Sequence, residues 1–161
     1  MKRLAILSLS CLLSIASADS AADVRTMPSA ASAVTAEPPL ACGDYLKEIG
    51  HARPDVTFIG CKSVVSDEPK VPGFEATYRV QGKDIEKVDA WLATWAEWEN
   101  LRFSCCQWDA PRGYYKDKRG SHFEVNMFAE AYIDGHMVNQ KKDFAKIPYA
   151  TLTVSHYLDI P

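Results

Sequence analysis

Five cysteines in a chain of 161 residues is an odd number, and the odd one decides what this chain can fold into. Cys11 sits inside an apolar run from Leu4 to Ile15. Met1, Lys2 and Arg3 precede that run as a positive cap. Ala16-Ser17-Ala18 closes it with the small-x-small pattern that signal peptidase accepts. Residues 1–18 therefore read as a signal peptide cleaved after Ala18. The run is about 12 residues, too short for a bilayer span of about 20. A lipoprotein signal ending at Cys11 is disfavoured, because the apolar run before it is short and Ser8 stands where a leucine is usual. Loss of the signal leaves Cys42, Cys61, Cys105 and Cys106. An even set in a chain addressed to the periplasm or the exterior reads as a disulfide framework.

Four cysteines allow three pairings. One joins Cys105 to Cys106 and strains the peptide between them. The other two send Cys105 and Cys106 to Cys42 and Cys61, in either order. The segment Leu101–Trp108 (LRFSCCQW) alternates as a strand would, with Cys105 beside Leu101 and Phe103 on the apolar face and Cys106 beside Trp108 on the other. That reading favours two cross-links, one from each face. Zinc is not expected, because adjacent cysteines lack the usual ligand spacing. No C-x-x-C pair supports a thioredoxin-like site.

Residues 19–41 are rich in Ala, Ser, Thr and Pro without a hydrophobic period, and read as a flexible linker. Residues 42–161 then form a single domain. No later stretch is apolar enough to cross a membrane, so the mature form should carry no membrane span. Without Lys2 and Arg3 the 18 basic residues become 16 against 21 acidic ones, a formal charge of −5. That balance argues against nucleic acid as a partner.

Within the domain, Gly43–Ile49 suits a short helix, with Gly50 as its cap. Asp55–Val65 and Phe74–Val80 suit strands, the second alternating cleanly. Asp84–Trp98 places Ile85, Val88, Trp91, Leu92, Trp95 and Trp98 within an arc of roughly 140°, an amphipathic helix. Pro111–Gly120 reads as a polar loop. His122–Ile133 reads as a strand, Asp134-Gly135 as a hairpin turn, Asn139–Lys146 as a charged loop, and Tyr149–Leu158 as the last strand. The predicted fold is α+β: one mostly antiparallel twisted sheet of about five strands, two helices largely on one face, and two disulfides.

No catalytic, metal or nucleotide signature occurs, and no cofactor is expected. His122 and His156 could serve an enzyme only if they converged with a carboxylate. Glu75, Glu124 and Glu130 are outward carboxylates of the kind a glycosidase would pair, and also of the kind any antiparallel sheet exposes. The one local cluster of basic and aromatic residues is Arg112, Tyr114, Tyr115, Lys116 and Arg119, with Lys118. Trp108 is expected beside it. Exposed Trp, Tyr and Arg together are hot-spot chemistry for a protein interface.

The motifs CGDYL (Cys42–Leu46), FIGC (Phe58–Cys61), EATYRV (Glu75–Val80) and LRFSCCQW (Leu101–Trp108) resemble an uncharacterised family of small cysteine-containing exported proteins of Gram-negative bacteria, classed as a domain of unknown function. The resemblance covers most of residues 42–158. It implies a periplasmic α+β domain held by cysteines and carries no known active residues. The general architecture is also similar to that of periplasmic immunity proteins. The expected function is a non-catalytic domain that binds or inhibits another protein in the periplasm or envelope. The alternatives are a small envelope hydrolase acting on glycan or lipid, and a structural accessory of an envelope complex.

Overall fold

The computed structural model describes residues 41–67 and 69–158. The expected signal peptide, and all of the expected linker before Ala41, lie outside the described residues. Helix α1 (Tyr45–Glu48) is a single turn, capped by the Asp44 carboxylate accepting from the Lys47 amide. Its Tyr45 and Leu46 are buried. Strands β1 (Val56–Val65) and β2 (Pro72–Gln81) form a long antiparallel hairpin, with a bulge between Phe58 and Gly60. A 3-10 turn (Gly82–Asp84) leads into the main helix, α2 (Ile85–Leu92). Gly82 is required there: a Cβ would stand 1.9 Å from the Ile147 carbonyl oxygen.

Regular helix stops at Leu92, short of the predicted Trp98. Two local hydrogen bonds explain the stop. The Thr94 hydroxyl donates to the Trp91 carbonyl, which competes with helix propagation. The buried Asp89 carboxylate accepts from both the Trp98 indole and the Leu101 amide, each at 2.9 Å. It thereby folds residues 93–101 back over the helix. Lys141 adds a third contact to Asp89 at 3.2 Å, so this buried charge is fully partnered.

The chain continues through β3 (Arg102–Ser104), β4 (Gln107–Asp109), β5 (Gly113–Lys116), β6 (His122–Glu130), β7 (Tyr132–Ile133), β8 (His136–Met137), a 3-10 helix (Lys141–Lys146) and β9 (Tyr149–Tyr157). The main sheet is seven-stranded, in the order β1-β2-β9-β6-β4-β3. Strand β5 pairs with the first half of β6, along the edge that β4 takes further on. Every pairing is antiparallel. Strands β7 and β8 form a separate hairpin closed by Asp134 and Gly135, at φ 48° and 81°. Positive φ at both positions is what the Asp-Gly signal predicts.

Register assigns the two faces. Inward rows are Ala76/Val154/Val125 and Tyr78/Leu152/Met127, all buried and packed with α1 and α2. Outward rows are Glu75/Ser155/Glu124, Thr77/Thr153/Asn126 and Arg79/Thr151/Phe128. The α+β class and the antiparallel sheet match expectation, with one main helix and a single-turn α1 where two helices were expected. The strand count is higher, because Leu101–Trp108 holds two strands instead of one and the expected loop Pro111–Gly120 holds another.

The predicted cross-links are corrected. A disulfide joins Cys42 to Cys61, with Cα atoms 5.6 Å apart, and ties the start of α1 to the middle of β1. Cys105 and Cys106 are exposed free thiols. The expected strand Leu101–Trp108 does not run straight. It reverses between Ser104 and Gln107, which pair with each other. Cys105 and Cys106 are the two residues of that turn, so they do not project from opposite faces of a strand. Their sulfurs lie side by side, 2.8 Å apart.

Candidate functional site

The same reversal displaces Trp108. In a straight strand, Phe103 and Trp108 would point to opposite faces. Across a two-residue turn they become cross-strand partners on one face, with ring centroids 5.7 Å apart. Trp108 is therefore buried, not exposed as expected. Its ring meets Phe144 edge-on, and its indole donates to the Val138 carbonyl at 2.7 Å.

The predicted basic loop is divided too. Gly113–Lys116 is an edge strand, so its side chains alternate. Tyr115 turns inward against Trp95 and Phe123. Tyr114 points outward, opposite Glu124, and is half-exposed. Arg112 reaches Glu124 at 3.2 Å and Asp67 at 3.6 Å. Arg119 is held by Asp117 in its own turn, and Lys116 is exposed opposite His122. The six residues do not form one patch. Arg112, Tyr114 and Lys116 belong to the outer side, while Trp108 and Tyr115 belong to the core.

The histidines separate as well. His122 shares the outward parity of Glu124. His156 lies on the inner side, with its ring 4.5 Å from Phe123 and 5.8 Å from Tyr45. They do not converge on a common carboxylate. His51 stacks on Trp95 at 4.2 Å and meets Tyr115 edge-on. Burial there pushes its pKa below the usual histidine range. Among the described residues, no cluster of three His, Cys, Asp or Glu side chains could hold a metal ion. No described helix is long and apolar enough to cross a membrane.

The outer face of the sheet has two unlike ends. At one end charged and polar side chains from four strands stand in one row, flanked by Arg112. Lys62 pairs with Glu75 at 3.0 Å, Ser155 lies beside Glu75, and Glu124 pairs with Arg112. The cleft there is only about 70 Å³, well below the ~300–1,000 Å³ of ligand pockets. At the other end is a groove of about 410 Å³, lined by Phe128, Tyr132, Ile133, Ile147, Pro148 and Tyr149. Tyr132 is 60% exposed and Tyr149 46%, so the aromatic rings are offered to solvent. The Arg79 guanidinium lies over the Tyr149 ring, 4.4 Å from its centre, and steadies it.

Three separate elements build this groove. Phe128 comes from an outward position of β6, Tyr149 from the start of β9, and Tyr132 from the small β7–β8 hairpin. The alternation of β6 already places Phe128 outward. Nothing local in the sequence announces that Tyr132 and Tyr149 come to stand beside it.

A family model for a domain of unknown function, DUF4952, matches residues 30–108. The match takes in all four motifs from Cys42 to Trp108 and ends inside the β3–β4 hairpin. No curated protein and no solved structure gave a significant match to the chain.

Proposed function

We propose that this chain is an exported, periplasmic, non-catalytic domain that binds and restrains another protein of the cell envelope. The observation that carries the reading is the solvent-exposed aromatic groove of Phe128, Tyr132 and Tyr149, on a sheet face that no helix covers among the described residues. Rigid aromatic rings on a preformed strand surface lose little entropy on binding and bury large apolar area. The paired charges at the opposite end of the face would set orientation rather than affinity. The partner fitting this surface presents an apolar side chain for the groove and polar groups toward the Thr77/Thr153/Asn126 row. The dispersal of the predicted Trp108–Arg119 cluster moves the expected interface from that loop to this face.

The test combines location and binding. Fractionation should recover the mature chain from the periplasm with its N-terminus at Asp19. The partner captured there should bind the Phe128→Ala/Tyr149→Ala double variant at least ~30-fold more weakly, equivalent to about 2 kcal/mol. Unchanged affinity in that variant, with native folding retained, would rule out the groove. A retained, uncleaved N-terminal segment would rule out the compartment.

A further inference from the structure

We infer that Cys105 and Cys106 form an exchange-active dithiol, which closes to a disulfide between neighbouring residues when it meets a disulfide-bearing partner. Four observations converge on the β3–β4 turn. Both thiols are exposed. Their sulfurs are already in contact at 2.8 Å. Cys42 and Cys61 are committed to each other, so neither is available to the pair. Cys105 sits at φ 55°, one of two non-glycine residues with positive φ among the described residues. Such a backbone costs on the order of 1 kcal/mol or more and persists only where the surroundings impose it. Here the flanking ladder imposes it, together with the Ala131 amide, which donates to the Cys106 carbonyl at 2.9 Å.

Geometry then determines what kind of bond the pair makes. Adjacent Cα atoms are about 3.8 Å apart, closer than the ~4.4–6.8 Å of ordinary disulfides. A bond across one peptide is strained, and strained exposed disulfides are the readily reduced ones. The pair therefore suits reversible exchange rather than stapling. The hydrogen bond to the neighbouring sulfur, with smaller contributions from desolvation and the Glu130 carboxylate, raises the pKa of Cys106.

The exchange balances as follows. One thiolate of the pair attacks one sulfur of an incoming disulfide, forming a mixed disulfide and expelling the other half as a thiolate. The second thiol of the pair loses its proton and attacks the sulfur of the first. The Cys105–Cys106 bond forms, and the second half leaves as a thiolate. Two cysteines are oxidised, the incoming disulfide is reduced to two thiols, and the two protons pass to those leaving groups. The co-reactant is any accessible disulfide, of glutathione type or on a thiol oxidoreductase.

The mature protein would be equilibrated in glutathione buffers of graded ratio, acid-quenched, alkylated and read by peptide mass. The peptide holding both cysteines should pass in one step from doubly alkylated to unalkylated, two hydrogens lighter. Cys42–Cys61 should stay closed over the same range and open only at a reduced-to-oxidised glutathione ratio at least ~10-fold higher. Cys105→Ser and Cys106→Ser should each stop at a glutathione adduct. Two alkylated thiols in excess oxidised glutathione, a stable adduct on the wild-type pair, or a bond from either residue to Cys42 or Cys61 would overturn the inference.

Discussion

The two faces of one sheet are made by the same three strands, yet they answer to different demands. On the inner face, Tyr78, Leu152 and Met127 are excluded from water and packed under α1 and α2. On the outer face, one residue along each strand, Arg79 is exposed and Thr77, Thr153 and Asn126 are half-buried, with no layer above them among the described residues. The inner side is selected for volume and for satisfied polar atoms. The outer side is packed less tightly, and the aromatic groups that remain exposed there call for another explanation. Binding is the explanation proposed above.

Substitutions of neighbours on β9 give the sharpest way to break that contrast. Leu152→Ala should cost about 3–4 kcal/mol by urea unfolding, from lost burial and the cavity left behind. Thr153→Ala, one residue on, should stay within about 0.5 kcal/mol. Similar losses at both positions would mean that something covers the outer face in solution.

The two cysteine pairs extend the comparison. Opening Cys42–Cys61 by Cys42→Ser/Cys61→Ser releases a loop of 19 residues' separation. It should lower stability by about 3 kcal/mol. Cys105→Ser/Cys106→Ser should change it by less than about 0.5 kcal/mol, since both side chains are exposed. Asp89→Ala leaves the Trp98 indole and the Leu101 amide buried without their acceptor, and should cost about 2–3 kcal/mol. The groove variant Phe128→Ala/Tyr149→Ala should unfold within about 1 kcal/mol of wild type, while losing its partner.

The smallest effect expected is on pH dependence, and it belongs to the inner side. The folded-state pKa of His51 is depressed by burial, so the unfolded chain binds that proton more readily. Its contribution to stability should be complete above about pH 6.5 and fade as pH falls through the lower folded-state value. His51→Phe should remove that slope from unfolding curves recorded between pH 5 and 7. A slope unchanged by the substitution would assign it to another group.

Much of the inner side was legible in the sequence. The alternation of Phe74, Ala76, Tyr78 and Val80 gave β2 its buried face, and Phe123, Val125, Met127 and Ala129 did the same for β6. Asp134-Gly135 marked its hairpin because that turn needs residues tolerant of positive φ. The Cys105-Cys106 turn stayed hidden for the converse reason. It uses the same backbone region without Gly, Asn or Asp, and the apolar period of Leu101, Phe103 and Cys105 runs straight through it. One missed reversal changed the parity of everything after it, which sent Trp108 to the wrong face and Cys106 to the wrong partner. The groove was illegible in a different way. Tyr149 meets Phe128 only through the pairing of β9 with β6, and Tyr132 only through the placing of the separate β7–β8 hairpin, and local periodicity carries neither.

The place of β9 has a consequence in time. It is the last described strand along the chain, and it lies between β2 and β6 near the middle of the sheet. Until residues 149–157 have been synthesised, the β1–β2 hairpin and β6 lack the strand that pairs with both of them. Such long-range closure is slow relative to local pairing. A chain arranged in this way cannot complete its main sheet before its last described strand exists, so the middle of the sheet is the last part to be filled.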